Sequence, residues 1–172
     1  MPQLTRQRSV DAPPAVVWDV ITDHELYAEA APNLETVEVL EGEGVGLVRR
    51  CVDTDGNEWT ESCTRWTEGT SVAVAVDVAS SDFHRRLFTR FEGEWVLDDG
   101  GDGVTITVRF TYEPRYWLLG KLISWYFSAR GPPIVEALLD NWEGAIDDRS
   151  KGPDRPRDTA TTHVEGGTDA LR

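Results

Sequence analysis

Residues 35–113 read almost entirely as short β-strands separated by turn signals, and they run directly into one apolar segment, 116–146, that reads as helix. An antiparallel sheet followed by a single long helix buries its apolar face by closing on that helix. Such a closure leaves a hollow between the two.

Around this frame the chain divides simply. A first strand, 3–10, ends at Asp11-Ala12-Pro13-Pro14, where proline stops β pairing and suits the first turn of a helix. Val16, Val17, Val20 and Ile21 then recur at helical spacing beside Trp18, and Asp23 can cap a second short helix over 24–30. Strands are expected at 36–40, 47–53, 58–67, 71–78, 85–97 and 104–112, with a loop at 79–82. In the last segment, 116–127 is apolar nearly all round, whereas Ile134, Val135, Leu138, Leu139, Trp142 and Ile146 form a one-sided stripe. Gly131-Pro132-Pro133 between them is expected to bend or break the helix. Residues 1–149 therefore read as one domain, and 150–172, polar and rich in Pro, Gly and Thr, as a disordered tail.

Charge excludes several function classes. Acidic residues outnumber basic ones 31 to 17, for a net charge of −14, which disfavours a phosphate backbone and so nucleic acid. Lys121 and Lys151 are the two lysines; arginine supplies the remaining cations. This balance suits a protein solvated in concentrated salt, where surface carboxylates hold water and their repulsion is screened; an ordinary acidic cytoplasmic protein is the plainer reading. No apolar run reaches the roughly 20 residues of a membrane span and the N-terminus has no apolar signal region, so a cytoplasmic protein is expected. Cys51 and Cys63 are too few for a disulfide framework.

The element order, strand, two short helices, six strands, long helix, resembles the helix-grip fold of the START and birch-pollen-allergen (SRPBCC) superfamily, especially its polyketide cyclase/dehydrase-like members. The sequence words agree: Val10-Asp11-Ala12-Pro13-Pro14-Ala15-Val16-Val17-Trp18-Asp19-Val20-Ile21-Thr22-Asp23, then Pro32-Asn33, Gly93-Glu94-Trp95, Tyr112-Glu113-Pro114 and Leu119-Gly120-Lys121-Leu122. The resemblance covers about residues 3–148. It implies an α+β fold in which a curved antiparallel sheet of about seven strands wraps a long C-terminal helix, with two short helices after the first strand. It also implies a cavity for a hydrophobic or amphipathic molecule such as a lipid, polyketide or isoprenoid quinone. The superfamily shares no catalytic motif, and no cofactor is expected.

The Asp55-Gly56 hairpin offers a way to decide which residues face that cavity. If these two form the turn, Val52 pairs with Trp59, Arg50 with Glu61 and Val48 with Cys63, and Val48, Arg50, Val52, Trp59, Glu61, Cys63 and Arg65 share one face. That face is the more apolar and is assigned inward. Arg50 and Glu61 then neutralise one another, leaving Arg65 to meet a ligand carboxylate or carbonyl, while a Cys51–Cys63 disulfide is excluded because the cysteines lie on opposite faces. Alternatively this face is the outer one and Arg50–Glu61 a surface pair worth under about 1 kcal/mol. Tyr112, Trp125 and Tyr126 are further candidate ligand contacts, although such aromatics also serve as core. His24 and His84 read as surface histidines; neither belongs to a cluster with metal-ligand spacing.

Three functions fit. The first is a binding or carrier protein, in which Arg50, Glu61, Arg65 or Tyr112 orients the ligand's polar end. The second is a cyclase or dehydratase with Glu61 as general base and Arg65 stabilising an enolate, although an arginine opposite Glu61 would lower its pKa and weaken it as a base. The third is an interaction module whose aromatic 116–127 stretch lies against a membrane or a partner protein, as in quinone-chaperone relatives, with the acidic surface disfavouring anionic lipid but not a protein partner. The charge balance generates its own test: thermal melts should show a higher midpoint in molar than in dilute potassium chloride, and equal midpoints would contradict adaptation to salt.

Overall fold

The computed structural model describes residues 1–101 and 103–152, with the side chains at 117–119, 124 and 126–128 outside that description. Strand β1 (Gln3–Val10) stops at the Pro13-Pro14 pair, and Pro14 opens helix α1 (Pro14–Ile21) at its first position. Asp23 caps α2 (His24–Ala30), its Oδ1 accepting from the backbone N–H groups of Glu25 and Leu26 at 3.1 Å each. Then come β2 (Leu34–Glu41), β3 (Val48–Asp53), β4 (Glu58–Thr67) and β5 (Ser71–Val76). The expected loop after β5 is instead a short 3-10 turn (Val78–Ser80) followed by α3 (Asp82–Leu87), which delays the next strand, β6, to Phe88–Asp99. The reason is local: Ser81 Oγ accepts from His84 N at 3.3 Å and caps a helical turn. Strand β7 (Val104–Pro114) and α4 (Trp117–Ser150) complete the fold.

All neighbours in the sheet are antiparallel, in the order β1-β7-β6-β5-β4-β3-β2. This is the expected helix-grip architecture, a curved seven-stranded sheet closed by the last helix. The first and last strands pair, from Gln3↔Thr111 to Val10↔Val104, so α1 and α2 must carry the chain from one edge of the sheet to the other.

Helix α4 is fixed at its C-terminal half. Val135, Leu138, Leu139, Trp142 and Ile146 are buried, as their one-sided spacing requires. On the flank, Arg6 pairs with Glu136, and Arg8 reaches Asp140 at 2.5 Å and Glu143 at 2.6 Å. Asn141 Nδ2 donates to Ala30 O at 2.8 Å, and Arg149 meets Asp23 at 2.8 Å, which ties α4 to α2. The expected break at 131–133 is absent: α4 continues through Pro132 and Pro133. The prolines remove two backbone donors, and Ile123 before them and Val135 after them are both buried. Gly131 lets the helix cross β1 closely, since a Cβ there would stand 2.7 Å from Leu4 Cδ2. The expected tail begins at the last turn of α4, and its residues 153–172 lie outside those described.

Candidate functional site

Between sheet and α4 lies a cavity of about 260 Å³. Trp59, His84, Phe91, Phe110 and Tyr112 line it from the sheet side, Ile134, Val135 and Leu138 from α4, and Asp53, Asp55 and Asn57 at the β3–β4 turn. Its lining draws on the main core through Leu34, Val135 and Leu138 and, through Tyr112, on a smaller cluster of Phe88, Tyr112 and Ile123.

The β3–β4 turn decides which side chains face this space. It is a three-residue loop, not the two-residue turn expected: Asp53 N–H donates to Asn57 O at 2.9 Å, closing Thr54, Asp55 and Gly56 between them. Asp53 Oδ1 accepts from Asp55 N at 3.0 Å and Asn57 N at 2.7 Å, while Gly56 takes φ +81°. The two-residue turn would need a positive φ at Asp55 as well, whereas one left-handed glycine in third position suffices here. The register moves by one residue, to Cys51↔Trp59, Arg50↔Thr60 and Arg49↔Glu61. All of β3 is thereby turned over relative to expectation.

Arg49, not Arg50, is therefore the interior cation. Arg49 and Glu61 are both buried, with Arg49 Nε donating to Glu61 Oε1 at 2.5 Å. Cys51 Sγ and Trp59 Nε1 approach the same carboxylate at 3.5 and 3.4 Å. Arg49 Nη1 lies 3.0 Å from His24 Nδ1; arginine has no acceptor, so His24 accepts there and carries its proton on Nε2. The guanidinium also sits 4.8 Å from the Tyr27 ring centroid and 5.9 Å from that of Trp95. Burial opposes the Arg49 charge, but Glu61 outweighs it and holds the pKa above the ordinary value. His24 is lowered by burial and by Arg49, and the buried Cys51 thiol is pushed up, so it stays protonated.

Arg50 and Arg65 leave the site. Arg50 lies on the outer face, where it pairs with Glu38 at 2.5 Å and Glu58 at 3.6 Å. Arg65 is turned out by a β-bulge between Cys63 and Arg65 and pairs with Glu94. Trp59, Glu61 and Tyr112 line the cavity. Cys63 lines a separate void of about 20 Å³ beneath α1 and α2. Cys51 and Cys63 share the inner face, contrary to expectation, yet both thiols are free because they stand at different register positions, Cys51 opposite Trp59 and Cys63 bonded through its backbone to Leu47. Trp125 is 67% exposed, and the Tyr126 side chain lies outside the described residues.

His84, expected at the surface, is buried against the cavity. Its ring stands 5.1 Å from that of Trp59 and 5.5 Å from that of Phe91, and Nδ1 shares a 3.0 Å hydrogen bond with Ser81 Oγ. No sequence periodicity marks it, because the capped turn that carries it is a single short helix. Burial lowers its pKa to about 4, while the Glu61 and Asp53 carboxylates pull weakly the other way. Among the described residues no cluster of His, Cys, Asp and Glu could hold a metal ion.

A family model described as polyketide cyclase/dehydrase and lipid transport matches residues 1–143. No curated protein matches the chain. Among solved structures, a protein of Thermus thermophilus is 25% identical with a TM-score of 0.70, covering 87% of this chain and 99% of its own. The ZhuI aromatase/cyclase of a Streptomyces species is 21% identical with a TM-score of 0.66, covering 86% and 94%. A major latex-like protein of Panax ginseng is 17% identical with a TM-score of 0.65, covering 83% and 95%. The last two likenesses concern the fold alone.

The depressed His84 pKa has a definite consequence. The unfolded chain takes up a proton near pH 6.5 and the folded chain only near pH 4, so stability falls as pH drops through that window, by about 3 kcal/mol at full effect, and this group adds no further change below it. Urea titrations of the parent and of His84→Phe from pH 7 to pH 4 should show the variant losing less stability on acidification; parallel losses would contradict a buried neutral imidazole.

Proposed function

Because the chain belongs to the polyketide cyclase/dehydrase and lipid transport family, we propose that it binds or carries an apolar or amphipathic small molecule, such as a lipid, polyketide or isoprenoid quinone, in the cavity beneath α4. One observation carries this reading: the hollow is walled mainly by aromatic and aliphatic side chains, and its buried ion pair is already satisfied internally. A ligand entering it exchanges water for apolar surface at roughly 25 cal/mol per Å² and need not break the Arg49–Glu61 pair. Glu61, Asn57, the His84 ring and Arg130 are among the polar groups in its lining that can orient a hydroxyl or carbonyl. A general-base role for Glu61 is less well supported, since its carboxylate is engaged by Arg49, Cys51 and Trp59.

A neutral solvatochromic dye such as Nile red tests this. It should bind with roughly micromolar affinity, about −8 kcal/mol. Val76→Trp, placed on the cavity wall, should weaken binding at least about tenfold while leaving the melting temperature close to that of the parent, because empty space receives the ring. Arg50→Ala, on the outer face, should leave binding unchanged. Absence of dye binding in the parent, or equal binding by Val76→Trp, would overturn the proposal.

A further inference from the structure

The N-terminal half of α4 differs in charge and exposure from everything around it. Between Glu113 and Glu136 the chain has no acidic residue but carries Arg115, Lys121 and Arg130, in a protein whose net charge is −14. Over the same stretch Tyr116, Leu122 and Trp125 are 53%, 59% and 67% exposed. At helical spacing Lys121, Leu122, Trp125 and Ala129 fall on one side, all exposed, while Ile123 is buried on the other. Among the described side chains of this half, Ile123 faces the core, while cations, an indole and aliphatic surface face outward.

We propose that this face is a docking surface for an anionic lipid membrane, on which α4 lies without crossing. The occupant is chosen by complementarity. Lys and Arg interleaved with Trp, Tyr and Leu match a surface that offers negative headgroups and, immediately beneath them, hydrocarbon. A second copy of this chain offers carboxylates and, around β2, the exposed Val39, Leu40 and Val45, which are three side chains and not the continuous hydrocarbon that lies beneath lipid headgroups. No helix among the described residues is long and apolar enough to span a membrane, which fits an interfacial and not a transmembrane position. The acid excess elsewhere does not forbid approach, because its repulsion is screened over a Debye length of about 8 Å at physiological salt. Of the two acids that bound the patch in sequence, Glu136 is already paired with Arg6 and Arg8, and Glu113 is exposed at the end of β7.

The placement adds a functional consequence. Arg130 and Gly131 belong both to this half of α4 and to the cavity wall. A membrane bound here lies against the cavity's own rim, whatever molecule the cavity holds.

Co-sedimentation of the full chain with vesicles tests the proposal. Vesicles of phosphatidylcholine mixed with phosphatidylglycerol should bind on the order of a hundredfold more strongly than phosphatidylcholine alone at physiological salt, and the preference should shrink as salt rises further. Leu122→Ser combined with Trp125→Ser should reduce binding at least about tenfold, and Lys121→Glu should reduce it on anionic vesicles alone. Unchanged melting temperature and unchanged Nile red affinity in these variants would establish that neither fold nor cavity was lost. Equal binding to both vesicle types, or vesicle binding indifferent to Leu122 and Trp125, would overturn the proposal. So would a concentration-dependent dimer that Trp125→Ser abolishes in a protein that ignores vesicles, which would make the patch a contact between copies.

Discussion

The buried pair of Arg49 and Glu61 is the interaction on which the site depends. Taking both charges out of water costs several kcal/mol per ion, and their attraction repays this only when the remaining donors and acceptors are also met. Here they are: His24 takes a second guanidinium donor, the Tyr27 and Trp95 rings face the cation, and Cys51 and Trp59 complete the carboxylate. A slip of β3 by one residue would set Arg50 opposite Glu61 instead, so the charge pair does not by itself choose the register; the three-residue loop closed by Asp53 does.

That pairing organises the surrounding space. Through His24 it reaches α2, and with Trp59 and Glu61 it forms the boundary between the small void under α1–α2 and the large cavity under α4. With Arg49 paired to Glu61, the cavity is a mainly apolar chamber with acceptors at its turn end and Arg130 in its α4 wall. Helix α4 divides the labour along its length. Its C-terminal half is core and ion-paired to β1, and its N-terminal half meets solvent with aromatic and basic residues.

Much of this is legible in the sequence wherever one interaction dominates. Strand β1, the proline-opened α1 and the Asp23-capped α2 follow from single residues with few alternatives. The inward placement of Trp59, Glu61 and Cys63 follows from alternation along one strand. What fails is whatever depends on counting across a turn. Asp53 bonds back to the loop and lengthens it by one residue, which exchanges Arg49 for Arg50. A bulge, which alternation cannot foresee, expels Arg65. His84 escapes because a helix of one or two turns has no period to read, although the Ser81 cap beside it is an available signal. The double proline misleads, since propensity yields to packing on both flanks.

A double-mutant cycle on Arg49→Met and Glu61→Leu, read by urea unfolding, tests the central claim most directly. Either single change strands a buried charge and should cost about 3 to 5 kcal/mol, whereas the double variant, with both charges gone, should be far less destabilised than the sum of the two. Additive losses would show that the two side chains do not act as a pair, and would contradict the account.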